Sequence, residues 1–318
     1  MEVFCRRCNR VTRDETGFCN FCLANLSFHR LIELEDFQHP DDRQAIGNLE
    51  LAKSFLPFSD IIRILQKSLT ENIVSRAISA SRFPKIIRLV LECARTLSLE
   101  YVPEVIFVKN PTPNAFTFGT DEKPIIAINL GLIKFFKTPQ ELKAVLGHEM
   151  GHIKSKHITF HGIAEMLITG ASFLGAGVFK TDLISIPLRM MLMSWYRKSE
   201  LTADRASLII AQDKNLVAKT IAKTTLGVEL SVEDIERRLD AAEGNLLQQI
   251  LHLKDSHPSL VERVRAIQEF AESAEYRDIQ LKLRKAAVAE GEVLYCKFCG
   301  APNLDASIFC PVCKKSQL

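Results

Sequence analysis

The sequence predicts an α+β fold: a mainly helical central domain with one small sheet, flanked at each end by a small cysteine-held module. Three observations predict it. Eight of the nine cysteines stand in four C-x-x-C pairs, all near the two ends of the chain. Apolar residues recur at helical spacing through most of the interior. Between Pro103 and Gly131 the pattern changes to short β-branched runs. The 318 residues are 47% hydrophobic and 25% charged, which suits a globular chain with a buried core. Net charge is 41 − 38 = +3, too small an excess to predict nucleic-acid binding.

Cys5/Cys8 with Cys19/Cys22, and Cys296/Cys299 with Cys310/Cys313, give the spacing C-x2-C-x10-C-x2-C twice. Two C-x-x-C turns bring four thiolates around one ion, as a tetrahedral structural zinc requires. Phe18 and Phe309 each precede a third cysteine, so the modules share an aromatic position too. Both resemble short zinc ribbons, expected over residues 1–26 and 292–318 with one structural zinc each. A disulfide framework would need export, yet residues 1–20 lack the apolar run of a signal peptide. Both ends are therefore expected to face reducing cytosol. Cys93, inside Ile86-Ile-Arg-Leu-Val-Leu-Glu-Cys-Ala, reads as an inert core thiol.

Residues 27–57, with Pro40 and Pro57, read as a linker carrying a short helix. Residues 58–272 form the central domain. Two helices between Ser59 and Ser98 should break near Phe83-Pro84. Val105-Ile-Phe-Val, Ala115-Phe-Thr-Phe and Ile125-Ile-Ala-Ile are the expected strands. Thr138-Pro139-Gln140-Glu141 opens the next helix: Thr138 caps, Pro139 takes the first helical position and Glu141 completes a capping box. Residues 158–197 read as an apolar helical hairpin, and a further helix follows Glu200. Residues 260–290 read as one or two helices, with 273–291 a helical spacer before the second ribbon.

The helix capped by Thr138 carries His148-Glu149-Met150-Gly151-His152. Positions i and i+4 lie about 40° apart around a helix, so both imidazoles point one way. Two neutral nitrogens one turn apart can bite one zinc, with Glu149 placed to take a proton from a zinc-bound water. A third ligand is required. No histidine stands at an H-x-x-G-x-x-H extension, since ten residues after His148 comes Ile158. A downstream carboxylate is the better candidate: Glu200 and Asp204 share one helical face. Glu200 would ligate the catalytic zinc and Asp204 would orient a histidine ligand. Ala203 and Ser207 are small enough to let the two helices approach closely.

Five segments then carry a family resemblance: Asn114-Ala-Phe; Gly131-Leu; Gln140-Glu-Leu-Lys-Ala-Val-Leu-Gly-His-Glu-Met-Gly-His-Ile; Glu200-Leu-Thr-Ala-Asp204-Arg; and His257-Pro-Ser-Leu-Val-Glu-Arg263. In that order, over roughly residues 60–270, the chain resembles the HtpX-like and CAAX-prenyl-protease-like zinc metallopeptidases, a gluzincin family. The resemblance implies a zincin-type domain with zinc on His148, His152 and Glu200, and Glu149 as general base and proton shuttle. It also implies an oxyanion role for His257, supported by Arg263, and a substrate-binding edge strand at Asn114, Ala115 and Phe116. Gly147 stands where an alanine is common, and most members lack the ribbons.

The expected function is a zinc endopeptidase acting on misfolded or membrane-proximal cytosolic polypeptides. The alternative is a scaffold in which the ribbons, with Arg6, Arg7, Arg10, Arg13, Lys314 and Lys315, bind a partner protein. Nucleic acid is disfavoured because no aromatic stacking array accompanies those charges. Ile158 to Phe179 is long enough to span a membrane, with Glu165 and His161 its polar interruptions. The return segment, Asp182 to Trp195, carries Pro187 and Arg189. His152 and Glu200 must meet at one zinc, so any crossings are even in number. Two spans satisfy this. So does a hairpin that packs on the protein or dips Ile163, Met166, Leu167, Phe173 and Leu174 into a membrane surface. Either way the active site and both termini lie on the cytosolic side.

Overall fold

The computed structural model describes the chain except for residues 1, 6, 9, 14, 16, 27–30, 54–76, 170–185, 232, 236, 238–258, 290–293, 304–308 and 317–318. The N-terminal module opens with β1 (Glu2–Phe4) and β2 (Val11–Arg13), an antiparallel pair. Helix α1 (Pro40–Lys53) follows, with Pro40 at its first position, where a missing N–H costs nothing. The central sheet holds β3 (Ala77–Ile78), β4 (Glu104–Val108), β5 (Ala115–Gly119) and β6 (Pro124–Asn129), in the order β3-β4-β6-β5. β4 and β6 run parallel, and β5 returns antiparallel to β6 as an edge strand. The three β-branched or aromatic runs are strands, as expected. β3 is too short to show a period, and its pairing with β4 makes it visible only in the fold.

Helix α2 (Pro84–Thr96) starts at the expected break. Its buried stripe of Ile86, Val90, Cys93 and Ala94 lies against the sheet and the later helices. Burial pushes the Cys93 thiol up to about 12, so it is the inert core residue anticipated. The companion helix before it falls on residues outside those described.

After α3 (Leu130–Phe135) comes α4 (Pro139–Lys154), whose cap forms as predicted. Glu141 N–H donates to Thr138 Oγ1 at 3.3 Å, and Thr138 N–H donates to Glu141 Oε2 at 3.0 Å. Then follow α5 (Ile158–Thr169), α6 (Ile186–Ala211), α7 (Lys214–Leu226), α8 (Leu260–Glu272) and α9 (Ala274–Ala289). The C-terminal module pairs β7 (Leu294–Tyr295) with β8 (Pro302–Asn303). Tyr276 and Ile279 of α9 are buried in the main core.

Helix α6 differs from expectation. The sequence places a boundary near Glu200, but one helix runs through it. The change from apolar to polar residues marks a change of packing partner, not an end. Leu192, Trp195 and Tyr196 pack with Ala45 and Leu49 of α1 and Phe160 and Ile163 of α5, while Ala206, Leu208 and Ile209 join the main core. Ile163, one residue of the face expected to meet protein or membrane, is 1% exposed and packs inward. No helix among the described residues is long and apolar enough to cross a membrane. Phe173 and Leu174 lie outside the described residues.

Candidate metal centre

Helices α4 and α6 lie side by side because the residues between them are small. A Cβ on Gly147 would stand 3.0 Å from Ile210 and from Ser207. One on Gly151 would stand 2.8 Å from the Ala206 Cβ and 3.0 Å from Ala203 Cα. The second approach is closer than real carbon contacts allow, so this spacing requires glycine at 151, and the first leaves almost no room at 147. Ser207 adds a hydrogen bond, its hydroxyl donating to the Ala144 carbonyl at 2.8 Å. Ala203 and Ser207 thus do what their size suggested.

That contact carries Glu200 to the two histidines of α4. His148 Nε2 lies 3.2 Å from His152 Nε2. Glu200 Oε2 is 3.5 Å from His148 Nε2, and Glu200 Oε1 is 3.4 Å from His152 Nε2. For ligands about 2.0–2.1 Å from a tetrahedral zinc, the edges between them are about 3.4 Å long. The three groups therefore fit one face of such a site, and the fourth position is left for water or substrate.

The charges around these groups are ordered. Asp204 Oδ1 lies 3.0 Å from His148 Nδ1. Arg263, in the first turn of α8, donates Nε to Asp204 Oδ2 at 2.7 Å and Nη2 to Oδ1 at 2.6 Å. Its Nη1 is 3.4 Å from Glu200 Oε2. Although burial opposes it, this guanidinium holds Asp204 below the usual carboxylate range. Burial also opposes charge on His148, yet Asp204 and Glu200 raise it to about 10. His152 moves the other way, to about 4, first through burial. Glu149 is buried beside them and pushed up to about 7, chiefly by burial. A cation held by the neighbouring ligands would favour its charged form. Thr117 on β5 donates its hydroxyl to Glu149 Oε2 at 2.7 Å.

The expected substrate strand, Ala115 and Phe116 with Asn114 just before it, forms the start of edge strand β5. Asn114 is exposed, and its carbonyl accepts from Asn129 N–H at 3.0 Å. His257 lies outside the described residues. Sequence reasoning missed Thr117, His157 and Asp42. His157 is five residues after His152, and its Nδ1 lies 3.1 Å from His152 Nδ1. Asp42, 115 positions from His157, meets its Nε2 at 3.1 Å. His152, His157 and His161 also lie within common reach of an ion. Hydrogen bonds occupy that trio: His161 Nε2 donates to Ser199 Oγ at 2.7 Å, while the Ser199 hydroxyl donates to Tyr196 O at 2.7 Å.

All nine cysteines are free thiols. Each ribbon gathers its four sulfurs within ligand reach of one another. Cys5–Cys22 and Cys8–Cys19 stand at 3.6 and 3.7 Å, and Cys296–Cys313 and Cys299–Cys310 both at 3.6 Å. Zinc–sulfur bonds of about 2.3 Å give tetrahedral edges of about 3.8 Å, so both sets fit a structural zinc. Backbone N–H groups reach the sulfurs too: Phe21 to Cys19, and Phe298 and Cys299 to Cys296, all at 3.4 Å. Against burial, these donors bring Cys19 and Cys296 down to about 6, toward the thiolate a metal needs.

A model of Peptidase family M48 matches residues 80–271. The chain is 30% identical over 279 residues to the plastoglobule-localized metallopeptidase 48, chloroplastic, of Arabidopsis thaliana, covering 81% of this chain and 79% of that protein. It is 26% identical over 236 residues to a protease HtpX homolog of Moorella thermoacetica, covering 64% of this chain and 77% of that protein. The helix pair, its convergent ligand set and a family match over more than half of the chain lead to one conclusion: the chain belongs to Peptidase family M48 and is a metallopeptidase.

Proposed function

We propose that this chain is a zinc-dependent endopeptidase that takes extended segments of misfolded or membrane-proximal polypeptide. The convergence of His148 Nε2, His152 Nε2 and the Glu200 carboxylate, with Glu149 buried beside them, carries the reading. These three residues would hold the catalytic zinc, and the two four-cysteine sets would hold structural zincs, three ions per chain. Bound zinc supplies Lewis acidity that polarises a scissile carbonyl and sharpens a water nucleophile.

The remaining roles belong to the chain itself. Glu149 takes the proton from the attacking water and delivers it to the departing amine, so the carboxylate ends as it began. The Thr117 hydroxyl holds Glu149 in place from the strand that binds substrate. Substrate backbone adds to the open edge of β5 beside Asn114, Ala115 and Phe116, which favours extended, unfolded segments over folded ones. Asp204, gripped by Arg263, keeps the His148 ring turned toward the metal. The oxyanion role of His257 rests on the family resemblance. Eight ribbon thiols argue for a reducing compartment at both ends, hence cytosol or the cytosolic face of a membrane.

Purified full-length protein is expected to degrade casein, with three zincs per chain by elemental analysis. Glu149→Gln should lower kcat by roughly 10²–10⁴-fold while keeping all three ions. Cleavage that survives this substitution would refute the role of Glu149. Two ions and no cleavage in either form would favour a ribbon scaffold instead.

A further inference from the structure

The two histidines that face Glu200 are held from behind in different ways. His148 pairs directly with a carboxylate, Asp204. His152 is separated from its carboxylate by a second imidazole: His152 Nδ1 to His157 Nδ1 is 3.1 Å, and His157 Nε2 to Asp42 Oδ2 is 3.1 Å. Asp42 is 0% exposed and belongs to α1, which precedes residue 80, where the family match begins. Its other partners also donate. The Thr202 hydroxyl reaches Oδ2 at 2.7 Å, the Gln38 amide reaches Oδ2 at 3.4 Å, and the Trp195 indole reaches Oδ1 at 2.9 Å. Thr202 Oγ1 accepts from His39 N–H at 3.0 Å, so its own proton is directed to Asp42.

We propose that Asp42 and His157 are positioning residues that fix the tautomer of His152 for metal binding, an inference that rests on the zinc site proposed above. With both imidazoles neutral, counting protons leaves one arrangement. An ionised carboxylate only accepts, so His157 carries its proton on Nε2. His157 Nδ1 is then a lone pair, and the proton between the two facing Nδ1 atoms belongs to His152. His152 is left with Nδ1–H and a bare Nε2, the atom that faces His148 and Glu200. The reversed string would aim a lone pair of His157 at Asp42 and put a proton on the metal-facing nitrogen.

The backbone is built to make this string. Lys156 adopts a left-handed φ of +55°, which ends α4 and returns His157 to His152. Asp121 then anchors the start of α5, accepting from Ile158 N–H at 3.0 Å and the Thr159 hydroxyl at 2.6 Å. Trp195 stands edge-on to the His157 ring, with centroids 5.4 Å apart. Helix α1 is therefore part of the metal centre although it lies before the matched domain.

Long-range ¹H–¹⁵N ring correlations on zinc-loaded, histidine-labelled full-length protein report each tautomer. His157 is expected as Nε2–H and His152 as Nδ1–H. Asp42→Leu, which leaves no acceptor, should abolish that His157 tautomer and weaken zinc at the central site roughly 10–100-fold in chelator competition, leaving the two ribbon ions in place. Trp195→Phe removes a donor but keeps the carboxylate. It should lower Tm while retaining both the tautomers and the zinc affinity. Should Asp42→Leu fail to fold, His157→Gln, whose carbonyl still accepts from His152, should hold zinc more tightly than His157→Leu. A wild-type His157 protonated on Nδ1, or unchanged affinity in Asp42→Leu, or equal affinity in the two His157 variants, would overturn the relay and leave the zinc site standing. A wild-type chain with only two ions overturns both.

Discussion

In the N-terminal ribbon Cys5 N–H donates to Arg10 O at 2.9 Å and Cys19 N–H to Ala24 O at 2.8 Å; in the C-terminal ribbon Cys296 N–H donates to Ala301 O at 2.8 Å and Cys310 N–H to Lys315 O at 3.0 Å. Leu23 and Lys314 hold the same left-handed turn, at φ 56° and 62°. Phe18 bridges to Asn25, and Phe309 to Ser316. Yet Phe18 is 1% exposed inside the main core, whereas Phe309 is 58% exposed. The difference lies along one edge. In the first ribbon, Leu23-Ala24-Asn25 pairs with the chain ahead of β4. Val102 N–H donates to Leu23 O at 3.0 Å, Asn25 N–H to Glu100 O at 2.8 Å, and the Asn25 side chain to Leu99 O at 3.0 Å. The corresponding residues of the second ribbon are Lys314-Lys315-Ser316, and lysine on an edge discourages strand pairing. Cysteine spacing thus sets the loop and its four converging sulfurs, while the residues beside the cysteines decide whether the loop becomes part of the core.

The ligands give the largest contrast. Cys19→Ser should release the N-terminal ion and withdraw Phe18 from the core, lowering Tm of the whole domain by about 10 °C. Cys310→Ser should also cost one ion but move that Tm by only about 1 °C. Zinc content and calorimetry on both variants check this. Equal losses of Tm would show that the second ribbon is packed as firmly as the first.

The aromatic pair separates docking from metal binding. Phe18→Ala removes a fully buried ring and should cost about 3–5 kcal/mol with all ions retained. Phe309→Ala should stay within about 0.5 kcal/mol of wild type. Urea unfolding of the body, followed through its single Trp195, measures both. A cost above about 2 kcal/mol for Phe309→Ala would contradict the exposed placement of that ring.

The same contrast explains what was legible in the sequence. The four sulfurs of each ribbon, the Thr138 cap, and the His148 and His152 pair depend on spacing within a helix or turn, and such spacing is written locally; Glu200 and Asp204 share a helical face, but only the packing of α6 on α4 brings them to the histidines. The strands at 105–108, 115–118 and 125–128 were readable because β-branched and aromatic runs suit a pleated, buried surface. Nothing local marks Asp42. Its carboxylate acquires meaning only when α1 packs on α5 and α6 and brings it under His157. Phe18 and Phe309 are equally indistinguishable before folding. The boundary misplaced at Glu200 has the same origin, since burial against α4 depends on the partner helix and not on the period of α6 itself.

The smallest test lies at one equivalent position, Arg7 in the first ribbon and Phe298 in the second. The Arg7 guanidinium sits 5.1 Å from the Tyr101 ring centroid, so it reaches from ribbon to body. Phe298 receives its cations from within its own ribbon, Lys297 at 5.4 Å and Lys315 at 4.9 Å. Exposed cation–π pairs contribute about 0.5–1 kcal/mol. Arg7→Met keeps an unbranched apolar stem and deletes the charge. It should therefore destabilise the body by that amount, with Tyr101→Leu giving no further charge-dependent loss in a double-mutant cycle. Phe298→Leu should leave the unfolding of the body unchanged. A coupling of Arg7 and Tyr101 indistinguishable from zero would mean that backbone pairing and Phe18 alone dock the ribbon, and the two ribbons would then differ by their edges and not by their charges.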